Sequence, residues 1–154
     1  MKIIPLSEGT FTIDGTKLFI PFDESTQDLQ QRARGSLLVE IQPFVVITQN
    51  DILLLDTGLG FEKNGRLQLH QNLQDAGINP AEVTKVLLSH LHKDHAGGVG
   101  RSQEGEPGKL SLPNATYYVQ EKELAFAFEK GFPSFIPAEL ECLRNNNRVQ
   151  LLNG

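Results

Sequence analysis

Three of the four histidines in the chain fall within six positions, in the run Ser89-His90-Leu91-His92-Lys93-Asp94-His95-Ala96-Gly97-Gly98. Imidazole nitrogen and carboxylate oxygen are donors for zinc and related divalent ions, and an Asp beside a His allows two metal positions close together. Two such ions would polarise a substrate and generate hydroxide between them. His90 and His92, at i and i+2, point the same way in an extended segment, while Asp94 and His95 come from the turn beyond, so four ligand-type side chains can converge. Gly97-Gly98 removes side-chain bulk just after them and lets backbone or substrate approach. The competing reading is a solvated, His-rich surface turn, but such a turn has no need to follow the buried apolar strand predicted over Lys85 to Ser89.

The elements that must position this run alternate strand and helix. Asp14-Gly15 is a turn signal between Phe11 to Ile13 and Lys17 to Ile20, which predicts a hairpin. Pro21 to Gly35 is polar and reads as a surface loop, free to lie over a site. Leu37 to Ile41, Phe44 to Thr48 and Ile52 to Leu55 are β-branched-rich apolar runs and read as strands, the last fully buried. Leu69, Leu73 and Ala76 follow helical spacing, so Arg66 to Ala76 reads as a helix that Gly77 closes. Asn79-Pro80-Ala81-Glu82 has the cap, proline and carboxylate of a short helical turn. Downstream, Gly97 to Gly108 is loop-like, Ala115 to Val119 and Arg148 to Leu152 are strand-like, and Glu121 to Lys130 and Pro137 to Arg144 are helical. No linker or repeat divides the chain, so one α/β (α+β) domain over 1–154 is expected.

Composition narrows the function classes. With 39% hydrophobic and 21% charged residues, the chain has no run approaching the ~20 apolar residues of a membrane span. Met1 to Glu8 lacks the apolar stretch and cleavage site of a secretory signal, so a cytoplasmic protein is expected. A net charge of −5 without a Lys/Arg run gives no basic face for nucleic acid. Cys142 stands alone, which excludes an intramolecular disulfide framework and reads as a small buried residue. His70, on the predicted helix, reads as an ordinary, partly exposed residue. Gly58-x-Gly60 lacks the third glycine of a dinucleotide loop and suggests flexible backbone.

His90-x-His92-x-Asp94-His95-Ala96-Gly97-Gly98 after Val86-Leu87-Leu88-Ser89, together with Leu53-Leu54-Leu55-Asp56-Thr57-Gly58, resembles the metallo-β-lactamase superfamily of hydrolases. Within it, Leu112-Pro113-Asn114-Ala115-Thr116-Tyr117-Tyr118-Val119-Gln120-Glu121-Lys122-Glu123 is similar to the group of acyl-homoserine lactonases and methyl parathion hydrolase-like enzymes. The resemblance implies the N-terminal half of an αββα sandwich. It implies two zinc ions, one on His90 and His92 and the other on Asp94 and His95, with Asp94 also orienting or deprotonating the attacking water. Asp56 would accept from a ligand imidazole; a carboxylate closing an apolar strand needs such a donor, and the alternative is a turn-forming Asp before Thr57-Gly58. The family completes its site with a further His, a bridging carboxylate and a last His, yet no histidine follows His95 here.

Two functions are therefore expected to compete. One is a metal-dependent hydrolase of a small ester, lactone or phosphoester, with metal-bound hydroxide as nucleophile and zinc, manganese, iron or cobalt as the ion. The other is a catalytically incomplete chain, truncated after the strand-like Val149 to Leu152, that holds at most one metal and hides its open sheet face in a homo-oligomer or against a missing C-terminal half.

Overall fold

The computed structural model describes residues 1–100 and 108–154. Among these, the strands are β1 (Lys2–Pro5), β2 (Gly9–Ile13), β3 (Ile20–Pro21), β4 (Leu37–Ile41), β5 (Phe44–Ile47), β6 (Ile52–Leu55), β7 (Glu62–Lys63), β8 (Arg66–Leu67), β9 (Lys85–Leu87), β10 (Thr116–Gln120) and β11 (Val149–Leu152). The α-helices are α1 (Gln68–Asp75), α2 (Lys93–Ala96), α3 (Glu121–Lys130) and α4 (Pro137–Leu140). A mixed six-stranded sheet runs in the order β1-β5-β6-β9-β10-β11, antiparallel through β6 and parallel from β6 onward. A smaller sheet, β3-β2-β4, is antiparallel throughout.

The period-2 rule of strands sorts the large sheet into two unlike faces. Val45, Leu54, Val86, Tyr117 and Val119 point to one side and pack, fully buried, with Leu69 and Leu73 of α1 and with Leu124 and Ala127 of α3. On the other side Phe44, Leu55, Leu87 and Tyr118 stand in register across four strands, and Phe44 and Leu87 are 37% and 43% exposed. One face is a core and the other is open. For that reason Ile52–Leu55 is not the fully buried strand its composition suggests: only Leu54 is buried. Tyr117 and Tyr118 divide between the two faces, as adjacent strand residues must.

Local signals set many boundaries. The Asn79 side chain accepts from Ala81 N–H while Glu82 accepts from Asn79 N–H, which closes a capping box around the turn Pro80–Glu82. Gly77 and Gly131 take the positive-φ conformations that end α1 and α3. The segment between Pro21 and Gly35 is largely exposed and holds only turns, among them the 3-10 turn Leu29–Gln31 capped by Asp28.

Four expectations shift. The hairpin partner of β2 is Ile20–Pro21 rather than Lys17 to Ile20, because Lys17 N–H bonds back to Asp14 and its φ of 61° prolongs the turn. The helix starts at Gln68, since Arg66 and Leu67 pair with Glu62 and Lys63. Lys85 to Ser89 stops as a strand at Leu87, and Pro137 to Arg144 divides into α4 and the 3-10 turn Glu141–Leu143. Of the loop expected over Gly97 to Gly108, residues 101–107 lie outside the described residues.

Candidate metal centre

β6 and β9 are parallel neighbours, Leu53 opposite Lys85 and Leu55 opposite Leu87. Their carboxyl ends therefore open at the same sheet edge, where α/β sheets hold their sites. Asp56 leaves β6 there and His90 leaves β9, so residues more than thirty positions apart become neighbours. Asp56 N–H continues the ladder to Leu87 C=O at 3.0 Å, and a φ of 61° then turns the chain away.

The Asp56 carboxylate is fully engaged. It accepts from Ser89 N–H at 2.7 Å, from the Ser89 hydroxyl at 2.8 Å and from His95 Nδ1 at 2.9 Å. Burial on its own would raise its pKa, but these donors outweigh burial and hold it below the usual carboxylate value. The bond to Asp56 lifts His95 above the ordinary imidazole value against its own burial. His90 moves down, through burial first and then through the neighbouring His95 and His92. The donor that Asp56 needs is thus present, and its turn-forming and carboxylate-partner roles coexist in one residue.

The rings of the histidine run lie close to one another. The rings of His90 and His92 lie 4.7 Å apart between centroids, and those of His90 and His95 lie 4.0 Å apart. Asp94 Oδ2 is 3.5 Å from His95 Nε2. His92 caps α2, accepting from His95 and Ala96 N–H. The ring of His92 also packs edge-on against Phe135 at 4.8 Å.

Donor type and proximity suit a zinc-type ion: three imidazoles and a carboxylate, with His95 Nδ1 committed to Asp56 and Nε2 left toward Asp94. As the side chains stand, no three His, Cys, Asp or Glu among the described residues form a ready cage. The rings lean on one another instead, and the broad χ2 torsion of histidine separates that packing from a shared focus.

Ser89, Thr57 and Glu123 escaped the sequence reading as parts of this edge. Glu123, on α3, accepts from Leu91 N–H at 2.9 Å and so fixes the backbone between His90 and His92. Thr57 N–H donates to His95 C=O at 2.7 Å. Ser89 carried a signal in its place directly before His90; a carboxylate reaching in from another helix carries none.

The glycines pack rather than flex. A Cβ on Gly60 would stand 2.3 Å from Gly97 O, one on Gly97 2.3 Å from Leu59 O, and one on Gly98 2.4 Å from Thr57 O. The space after the histidines is taken by the Thr57–Gly60 backbone, which corrects the reading of Gly58-x-Gly60 as loose chain. His70 also departs from expectation: it is buried, 1% exposed, with Nε2 2.8 Å from Ser111 O and its pKa lowered by burial. Its place on the inner face of α1, beside Leu69 and Leu73, explains this. Cys142 is buried as expected, its thiol pushed up to about 12 by burial.

A trough of about 820 Å³ adjoins the edge, lined by Leu37, Val39 and Ile41 of the small sheet, by Phe44, Leu55 and Leu87 of the large one, and by Asp56, Ser89, Asp94 and His95. Among the described residues no helix is long and apolar enough to cross a membrane.

Comparison with known proteins agrees with this architecture. The N-acyl homoserine lactonase AttM of Azorhizobium caulinodans is 46% identical over 52 residues, 34% of this chain and 16% of AttM. Metallo-beta-lactamase domain-containing protein 1 of Xenopus laevis is 30% identical over 105 residues, 67% of this chain and 42% of that protein. The structure of AidC, a dizinc quorum-quenching lactonase in complex with a product, superposes with a TM-score of 0.67 at 24% identity, covering 98% of this chain and 57% of AidC. The matched regions thus span little more than half of AidC and smaller shares of the two other relatives. The family model for the metallo-beta-lactamase superfamily matches residues 39–135, from β4 through the histidine run to Phe135, and the chain belongs to that superfamily.

Proposed function

We propose that the protein is a metal-dependent hydrolase of a small ester, lactone or phosphoester, lactones first among these. The observation that carries this reading is the gathering of His90, His92, His95 and Asp94 at the carboxyl ends of β6 and β9, with Asp56 bonded to His95. The similarity to AttM, named as an N-acyl homoserine lactonase, supports the lactone among the three substrate classes.

His90 and His92 would hold one zinc-type ion and Asp94 and His95 a second, and bound there the ions would supply Lewis acidity and lower the pKa of water at the site. Asp94 would orient or deprotonate the attacking water. Asp56 keeps the proton of His95 on Nδ1, so that Nε2 presents a lone pair. Glu123 and Thr57 hold the backbone from which these side chains project. The trough beside Asp94 and His95 offers apolar walls for the non-reacting part of a substrate.

The open sheet face favours a second reading, in which further polypeptide, from this or a partner subunit, must lie over Phe44, Leu55 and Leu87 before the site works. In that case the chain by itself holds at most one ion. Size-exclusion chromatography checks this, because a compact monomer counts against an unmet interface.

Elemental analysis and a panel of lactone, carboxylic ester and phosphoester substrates test the main proposal. The expected result is zinc bound to the protein, with metal and hydrolysis lost together in His92→Ala. Hydrolysis that survives the loss of metal overturns it.

A further inference from the structure

Glu8 belongs to none of the chemistry above, yet it is a carboxylate buried to 8% exposure in the link between β1 and β2. Its Oε2 accepts from Leu59 N–H at 2.6 Å, and its Oε1 is buried without a hydrogen-bond partner among the described residues. Burial raises its pKa from 4.5 to about 7 against the pull of that one bond. A buried, under-satisfied acid is costly, so its retention at this place calls for a local reason.

The reason lies in what Leu59 belongs to. Residues Asp56 to Gly60 form the loop that carries the partner of His95. On one side the loop is tied to α2 and its end: Thr57 N–H donates to His95 O at 2.7 Å, and Gly97 N–H donates to Gly58 O at 2.9 Å. On its other side stands Glu8. The carboxyl group lies so close over Gly58 that a Cβ there would come within 2.4 Å of Oε2. Glu8 is itself anchored, with its N–H donating to Ile41 O of β4 at 2.8 Å, while Asn72 of α1 donates to the carbonyl of the preceding Ser7 at 2.6 Å. The loop is therefore gripped between a carboxylate that does not touch the histidines and the helix that bears two of the candidate ligands.

We propose that Glu8 is a positioning residue, which presses the Asp56–Gly60 loop onto α2 and so holds Asp56 in bonding register with His95. It acts through Leu59 and Gly58 and touches neither substrate nor metal. Among the described residues no ion pair includes Glu8; the loop offers it a backbone amide and β4 a backbone carbonyl. Its influence on zinc rests on the metal-site reading above, whereas its influence on the Asp56–His95 bond does not.

The test uses two readouts on the metal-free and zinc-loaded protein. The first is the proton NMR signal of the His95 Nδ1–H bonded to Asp56; the second is zinc affinity by chelator competition. Glu8→Ala is expected to broaden or abolish the His95 signal in the metal-free protein and to weaken zinc about tenfold. Glu8→Gln, whose side-chain carbonyl still accepts from Leu59 N–H, is expected to restore both. If Glu8→Ala does not fold, Glu8→Asp, which withdraws the carboxylate by one methylene, must show the same loss of signal. A folded Ala or Asp variant with an unchanged His95 signal overturns the proposal. If the wild type binds no zinc while the His95 signal still responds to Glu8, the metal reading fails and the positioning role stands.

Discussion

Asp56 and His95 meet at 2.9 Å between Oδ2 and Nδ1 across 39 positions of sequence. A carboxylate can only accept, so Nδ1 carries a proton, and in the neutral ring the lone pair is therefore on Nε2. This is the arrangement a metal-binding imidazole needs from its partner. Asp56→Asn, which sets an amide against the same nitrogen, is expected to weaken zinc roughly 10–100-fold with the circular dichroism spectrum unchanged. An affinity within twofold of wild type, measured by chelator competition, would deny Asp56 that role.

The same pair makes the metal-free protein sensitive to pH. His95 is lifted above its ordinary value of 6.5, so its contribution is complete below that value and is lost as pH rises through the folded pKa. Asp56 is held below 3.8, so its contribution is present above that value and is lost as pH falls through the folded pKa. Both act fully only between about pH 4 and pH 6.5. His95 is partly exposed, which keeps the effect under about 1 kcal/mol. Urea unfolding in the presence of a chelator checks it: the gap between wild type and Asp56→Asn should narrow from pH 6 to pH 8.

Glu8 titrates in the opposite sense to Asp56. Its pKa rises on folding from 4.5 to about 7. The stability this gives is present below pH 4.5 and drains away as pH climbs to 7, by about 3 kcal/mol at most. Glu8→Gln removes the titration. It should match wild type near pH 4.5 and exceed it above pH 7. Denaturation curves that keep a constant separation between those pH values would show that this carboxyl does not titrate as its burial requires.

Gly97 and Gly77 separate packing from backbone conformation. A Cβ on Gly97 meets two backbone oxygens, Leu59 O and Lys93 O, each at 2.3 Å, whereas one on Gly77 meets none of the described residues within 4 Å but must sit at a φ of 79°. Gly97→Ala is expected to cost about 3 kcal/mol, and Gly77→Ala about 1 kcal/mol. Thermal unfolding should show the first as the larger drop in Tm. Equal drops would mean that Gly97 is not wedged between the Asp56–Gly60 loop and α2.

Much of this was legible in the chain because it depends on short-range chemistry. The capping box at Asn79, the helix stop at Gly131 and the strands beginning at Leu37, Phe44 and Ile52 follow from residue type and spacing within a few positions. The closeness of the His90, His92 and His95 rings is also local, since the three lie within six positions. The motif pair also pointed to Asp56, though not to which histidine it would meet.

The tertiary structure decided the rest. Parallel pairing of β6 with β9 chose His95 and Ser89 as the donors to Asp56, and no local pattern encodes the pairing of two distant strands. The segment before β10, whose Ser111 carbonyl meets His70, lies over that histidine, and the open face left Ile52–Leu55 half covered, because burial depends on what lies opposite. Glu8 is the clearest case: an acidic residue between Ser7 and Gly9 looks like surface, and only the loop folding over it makes it a buried clamp.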